Sequence, residues 1–304
     1  MKQAAVIGSL NYDIFLMLAQ IPRIGETANA SSCKKSAGGK GANQAVQLAK
    51  LGVPTYMIGS IGDDHMGEVL QDSLKRAGVK TEYVSCIAGE TTGMGVVDVL
   101  PDGSVMAVIS HGANYRVGME SIRQAKKVLQ EAELWVLQLE IPTETVIRTV
   151  ELAKQLGKKV LLNAAPAAEL PEETLRKCDY VVVNEVEAAF YTGCEIDSPE
   201  KAAELLPKIT GRYGNCWVCT LGRHGAVIGR QGRTEFIPAI KTEVVETTGA
   251  GDSFVGGFSY GLLQGMDEFE AAAFAAHCSA ITIRGVGAQE SMPAREELAQ
   301  EFGI

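Results

Sequence analysis

Short, fully apolar runs rich in β-branched residues alternate along the chain with longer stretches in which apolar residues recur about every 3.6 positions. Residues 4–8, 55–58, 134–139, 160–163, 180–183 and 216–221 read as strands. Between them, Met66, Val69, Leu70, Leu74 and Ala77 form one helical stripe, and Val146, Ile147, Val150, Leu152 and Ala153 form a broader one. Strands that are apolar on both faces, alternating with amphipathic helices, predict an α/β fold with a mostly parallel sheet covered on both sides. Two regions break the rhythm. Residues 14–35 carry no helical stripe and contain Pro22 and Gly25. Residues 94–100 and 104–110 alternate around Pro101-Asp102-Gly103, a hairpin signal. Together they predict a small sheet standing off the main body, as an edge flap, an active-site lid or a dimer surface.

At 304 residues the length suggests about two domains of ~150 residues. No linker, repeat or low-complexity segment divides the chain, however, so the expectation is one domain over 1–304. Acidic residues outnumber basic ones, 37 to 28, for a net charge of −9. A protein built to hold a phosphate backbone carries the opposite sign, so neither nucleic acid nor an anionic membrane is expected as a partner. A small anionic ligand stays open, because a single pocket does not register in the total charge. The seven cysteines are odd in number and scattered, which suggests no disulfide framework. The first residues do not read as a signal peptide, and no apolar run approaches the ~20 residues of a membrane span. The expected setting is cytoplasmic.

Several chemical motifs fail. Gly39-Lys40-Gly41 lacks the Ser or Thr and the upstream glycine of a Walker loop, and no G-x-G-x-x-G string supports a dehydrogenase. Gly257-Phe258-Ser259-Tyr260-Gly261 matches the hydrolase elbow as a string, but Phe254, Phe258, Leu262 and Leu263 space it as one continuous helix. Cys216 and Cys219 sit at an odd offset in a strand, which points them to opposite faces and predicts core thiols rather than a zinc site.

Two glycine-rich segments carry the chemistry. Thr247-Thr248-Gly249-Ala250-Gly251-Asp252 runs into a helix, so bare N–H groups open it and suit an anion, with Asp252 in the first turn. Gly38-Gly39-Lys40-Gly41-Ala42-Asn43 also feeds a helix, and close backbone approach beside Asn43 suits a polyol. Asn11 and Asp13 follow the first strand, and Glu140 follows the strand at 134–139, at the carboxyl edge where ligands of open α/β sheets gather.

These two segments, with Gly112-Ala113-Asn114, Asn163-Ala164-Ala165-Pro166, Asn184-x-x-Glu187, Thr220-Leu221-Gly222 and Gly287-Ala288-Gln289-x-Ser291, resemble the ribokinase family of carbohydrate kinases over essentially the whole chain. The resemblance implies a three-layer α/β/α sandwich with a small β-sheet lid formed by about 14–36 and 92–112. It implies ATP-dependent phosphorylation of the terminal hydroxyl of a furanose, D-ribose above others, with another sugar or a nucleoside as the alternative. A nucleotide sensor without turnover is a third reading, disfavoured by the presence of Asp252. On this resemblance Asn11, Asp13, Gly39, Lys40, Asn43 and Glu140 hold the sugar, and Asp252 is the catalytic base. The amides of Gly249, Ala250 and Gly251 form the anion hole. Asn184 and Glu187 arrange Mg²⁺ and the nucleotide phosphates, while Thr220, Gly222 and Gly225 line the nucleotide site. Glu246, Thr248, Thr282, Gly285, Gly287 and Ser291 correspond to a K⁺ site, although Glu246 stands where the family commonly has Asp. The lid strands are expected to pair in a homodimer. Tyr12, between Asn11 and Asp13, either reshapes the sugar pocket or points away from it.

Overall fold

The computed structural model describes residues 2–101 and 105–304. Among these residues, thirteen strands form two sheets: β1 (Ala4–Ile7), β2 (Asn11–Met17), β3 (Ser32–Gly38), β4 (Thr55–Gly62), β5 (Lys80–Ile87), β6 (Gly93–Val99), β7 (Val105–Ser110), β8 (Leu134–Leu137), β9 (Lys159–Asn163), β10 (Tyr180–Asn184), β11 (Cys216–Thr220), β12 (Gly225–Arg230) and β13 (Arg233–Pro238). The large sheet runs β13-β12-β11-β10-β9-β8-β1-β4-β5. It is parallel from β5 to β11 and ends in the antiparallel hairpin β12–β13.

The alternation of side chains along these strands divides the core into two halves, one on each face of the sheet. Ala4, Val6, Leu134, Val136, Cys216 and Val218 pack into one half with the helices Lys40–Lys50, Ala250–Gln264 and Glu268–Thr282. Ala5, Ile7, Trp135, Leu137, Trp217 and Cys219 pack into the other with the helix Thr143–Gln155. Cys216 and Cys219 are therefore buried free thiols on opposite faces, as their offset predicts. Ser259 lies inside the continuous helix Ala250–Gln264 with its hydroxyl donating to the Val255 carbonyl at 2.7 Å, so no nucleophile elbow exists there.

The small sheet runs β3-β2-β6-β7. Its strands arise from the two regions that break the helical rhythm, and they begin earlier than the expected boundary, because Asn11 and Asp13 already pair within it. β6 and β7 pair as the predicted hairpin; Asp102 and Gly103 of its turn lie outside the described residues. Within β2 the period of two puts Asn11, Asp13, Phe15 and Met17 on one face. Tyr12 falls on the other, packed against the core, which resolves its orientation away from the face that carries Asn11 and Asp13.

Candidate active site

Close backbone approach sets the site. The helix Lys40–Lys50 begins at Gly39 with φ of 89°, and a Cβ there would lie 2.6 Å from the Asn11 amide nitrogen. The helix start is thereby pressed against the turn between β1 and β2. Asn43 and Gln44, one turn in, reach across to the helix Ala250–Gln264 and hold both oxygens of Asp252. Asn43 Nδ2 donates to Oδ2 at 2.8 Å and Gln44 Nε2 to Oδ1 at 2.9 Å. Burial raises the Asp252 pKa above the ordinary carboxylate value, against the opposing pull of Lys40, Asn43 and Gln44. A carboxylate held in two directions and made more basic is suited to accept a proton.

A cavity of about 150 Å³ opens beside it, lined by Lys40, Asn163, Asn184, Glu187, Thr220, Gly249, Gly251 and Asp252. Gly249 caps its helix in the left-handed region, φ 80°, and a Cβ there would meet Ala288 Cβ at 2.7 Å. Of the three expected anion-hole residues, Gly249 and Gly251 line the cavity. Ala250 does not, since its amide donates to the Thr247 carbonyl at 3.2 Å. Lys40 shares the cavity with Asn184 and Glu187, away from a purely sugar-side position. Burial works against its charge, but Asp252, Glu140, Glu187 and Asp13 outweigh it and raise its pKa.

On the other flank, Glu140 is buried at 8% exposure, and its Oε2 accepts from Ser9 Oγ at 2.5 Å, the Lys40 amide at 3.2 Å and Asn11 Nδ2 at 3.4 Å. Asn114 Nδ2 donates to Asn11 Oδ1 at 2.7 Å and fixes that side chain. Asp13 stands between two glycines of neighbouring strands, Gly38 and Gly95, where a Cβ would fall 2.0 and 2.4 Å from its oxygens. Burial first, then the Glu140 and Asp252 charges, push its pKa up to about 7, with Lys40 opposing. Ser9, Gln44 and Asn114 carry the site as much as the expected residues do. Asn114 closes the Gly112-Ala113-Asn114 motif, Gln44 directly follows the glycine-rich segment 38–43 and Ser9 follows Gly8 at the end of the first strand. These glycines are the one signal that could have marked them.

Asn184 and Glu187 form a capping box on the helix Glu185–Thr192: Asn184 Oδ1 accepts from the Glu187 amide at 2.9 Å, and Glu187 Oε2 from the Asn184 amide at 2.7 Å. One Glu187 oxygen is thus spent on the backbone. With no group of three His, Cys, Asp or Glu side chains placed to hold a metal among the described residues, this donor set fits a hard cation held mainly by phosphates and water. Thr220 lies in the cavity, while Gly222 lines a neighbouring recess with Glu185, Asp197 and Arg223. Gly225 opens β12, where a Cβ would sit 2.1 Å from the Ile237 carbonyl oxygen.

The six positions expected to take K⁺ do not fit a free cation. Their only carboxylate, Glu246, is engaged by Lys34 Nζ at 2.8 Å and by the Gly287 amide at 3.1 Å. The Thr282 hydroxyl shares its one proton between Ser253 Oγ of the neighbouring helix at 2.8 Å and the Cys278 carbonyl of its own helix at 3.0 Å, and its carbonyl accepts from the Gly285 amide. Ser291 Oγ fills the space beside Gly285.

Residues 1–295 match the model of the pfkB family of carbohydrate kinases. The chain is 32% identical over 296 residues to a ribokinase of Haemophilus influenzae, covering 97% of each chain. It is 35% identical over 301 residues to a deoxyribokinase of Salmonella typhi, covering 99% of this chain and 98% of the relative. In structure it is similar to a ribokinase of Arabidopsis thaliana complexed with ribose and ATP, with a TM-score of 0.90 at 31% identity, covering 99% of this chain and 98% of that one.

Proposed function

This chain belongs to the pfkB family of carbohydrate kinases, and from that premise we propose that it transfers the γ-phosphoryl group of ATP to the terminal hydroxyl of D-ribose, giving D-ribose 5-phosphate and ADP. The observation that carries the reading is the Asp252 carboxylate, basic through burial and clamped by Asn43 and Gln44 beside the open helix start. Asp252 takes the hydroxyl proton as the oxygen bonds to the γ-phosphorus and the bond to the bridging oxygen of ADP breaks. Gly249 and Gly251 present backbone to the transferring group, and Lys40, in the same cavity, adds positive charge where sugar and phosphate meet. Asn11, Asp13, Gly39, Asn43 and Glu140 hold the sugar hydroxyls. Thr220 and the neighbouring Gly222 and Gly225 turn receive the nucleotide.

Asn184 and Glu187 would hold Mg²⁺, which when bound neutralises phosphate charge. K⁺ is not carried over from the resemblance, because Glu246 is already paired. The small sheet acts as a lid that excludes water during transfer, and it pairs with a second copy in a homodimer. The protein works in the cytoplasm on two small molecules.

A second reading, phosphorylation of 2-deoxy-D-ribose, is favoured by the 35% identity to deoxyribokinase. A coupled ADP-release assay across pentoses, 2-deoxypentoses, hexoses and nucleosides separates the readings. Turnover fastest on ribose is expected. Preference for a nucleoside, or ATP binding without turnover of any acceptor, defeats the proposal.

A further inference from the structure

The loop that leads into the helix Ala250–Gln264 is tied to the small sheet by one ion pair. Lys34 stands on β3, and its Nζ lies 2.8 Å from Glu246 Oε2, with the two side chains 29% and 24% exposed. The same oxygen accepts from the Gly287 amide at 3.1 Å, and the Thr248 side chain bonds the carboxylate as well. Burial disfavours the charge on Glu246, yet Lys34, Thr248 and Gly287 outweigh it and hold its carboxyl below the usual range. Downstream, a second lysine serves the adjoining segment. Lys50 Nζ donates to the carbonyls of Gln289, Glu290 and Met292 at 2.8, 3.3 and 2.7 Å.

We propose that the Lys34 ammonium takes the place of a monovalent cation beside Glu246, so that the chain orders its anion-binding helix start with its own lysine and turns over independently of K⁺. The proposal rests on the sugar-kinase reading above. A tethered ammonium needs no binding equilibrium, since its effective concentration is set by the fold. Once Glu246 is paired, the loop has no anionic side chain left among the six positions, and a second cation a few ångströms from Lys34 meets repulsion. The mechanical link is short. Glu246 holds the Gly287 amide, and the next residue, Ala288, sits where a Gly249 side chain would be, so the pair sets the position of the Gly249 cap. Lys34 acts through these groups as a positioning residue and touches neither Asp252 nor the cavity lining.

The test compares initial rates with ribose and ATP in potassium chloride and in tetramethylammonium chloride at equal ionic strength. It is paired with calorimetric titration of a non-hydrolysable ATP analogue in the same salts. Wild type is expected to agree within about twofold between salts in both measurements. Lys34→Met is expected to lose about tenfold in tetramethylammonium and to recover in potassium or ammonium, because it leaves Glu246 without its partner. Lys34→Arg, which keeps the charge, is expected to stay independent of the salt. A wild-type rate or affinity several-fold higher in potassium overturns the proposal without any variant. So does a Lys34→Met protein that matches wild type in both salts. Absence of turnover on every sugar would instead defeat the kinase reading, and the calorimetric comparison, which needs no turnover, would still decide the role of Lys34.

Discussion

Asp252 concentrates the proposed chemistry in one side chain whose partners come from a helix more than two hundred residues away in sequence. Asp252→Asn is expected to lower kcat by about 10²–10⁴-fold, the usual contribution of a positioned base. Affinity for a non-hydrolysable ATP analogue should change by no more than a few-fold; a kcat near wild type would remove Asp252 from the base role. Asp13 supplies a pH dependence. Its folded pKa, pushed up to about 7, lies well above the ordinary aspartate range, so below neutrality it carries a proton and no longer accepts freely from a sugar hydroxyl. The KM for ribose is expected to rise roughly tenfold for each pH unit below about 7, and Asp13→Asn to flatten that profile. A KM constant across this range in wild type would count against Asp13 as a sugar ligand. The same shift works on stability with a definite sign. The native state keeps a proton that the unfolded chain releases, so ligand-free protein loses stability between about pH 4 and pH 7, with no further loss from this group above that window. Asp252 and Asn43 were legible because each stands beside glycines whose spacing announces a ligand, and Asn11 because it follows the first strand at the carboxyl edge of the sheet. Gln44, Ser9 and Asn114 also lie at glycine-rich stretches, but their roles, like that of Lys34, arise from contacts spanning roughly 100 to 210 residues of sequence, which no local pattern shows.

At the scale of elements, the inner parallel strands of the main body could be read from their apolar runs, because each is buried on both faces. β5, a parallel strand at the sheet edge that is exposed or half-buried along most of its length, carries no such run and was not legible. The small sheet was harder to bound. β2 carries Asn11 and Asp13, so its polar start reads as loop, while its pairing with Gly38 and Gly93 makes it strand. Gly249 shows how an element boundary is fixed by tertiary contact. With φ of 80° and Ala288 Cβ only 2.7 Å from the site of a new methyl, Gly249→Ala is expected to cost about 1–2 kcal/mol or more for the left-handed backbone alone. It should also weaken ATP-analogue binding. A denaturant midpoint unchanged from wild type would show that the cap is less constrained than its geometry indicates.

For the whole molecule, the outer strand of the small sheet, β7, exposes Met106, Val108 and Ile109 at 46%, 66% and 40%. An unpaired edge strand with apolar side chains invites a partner strand, which is the physical basis for the proposed homodimer. Sedimentation at micromolar concentration is expected to give a dimer, and Val108→Lys to shift it towards monomer; a wild-type monomer would refute the pairing. The clamp on Asp252 also bears on biosynthesis. Its two halves lie more than two hundred residues apart in sequence, so a growing chain holds the sugar-side helix long before it holds a base to clamp. Phosphoryl transfer therefore cannot begin on a chain that stops short of Asp252, and appearance of activity during refolding marks the joining of the two helices rather than the formation of either.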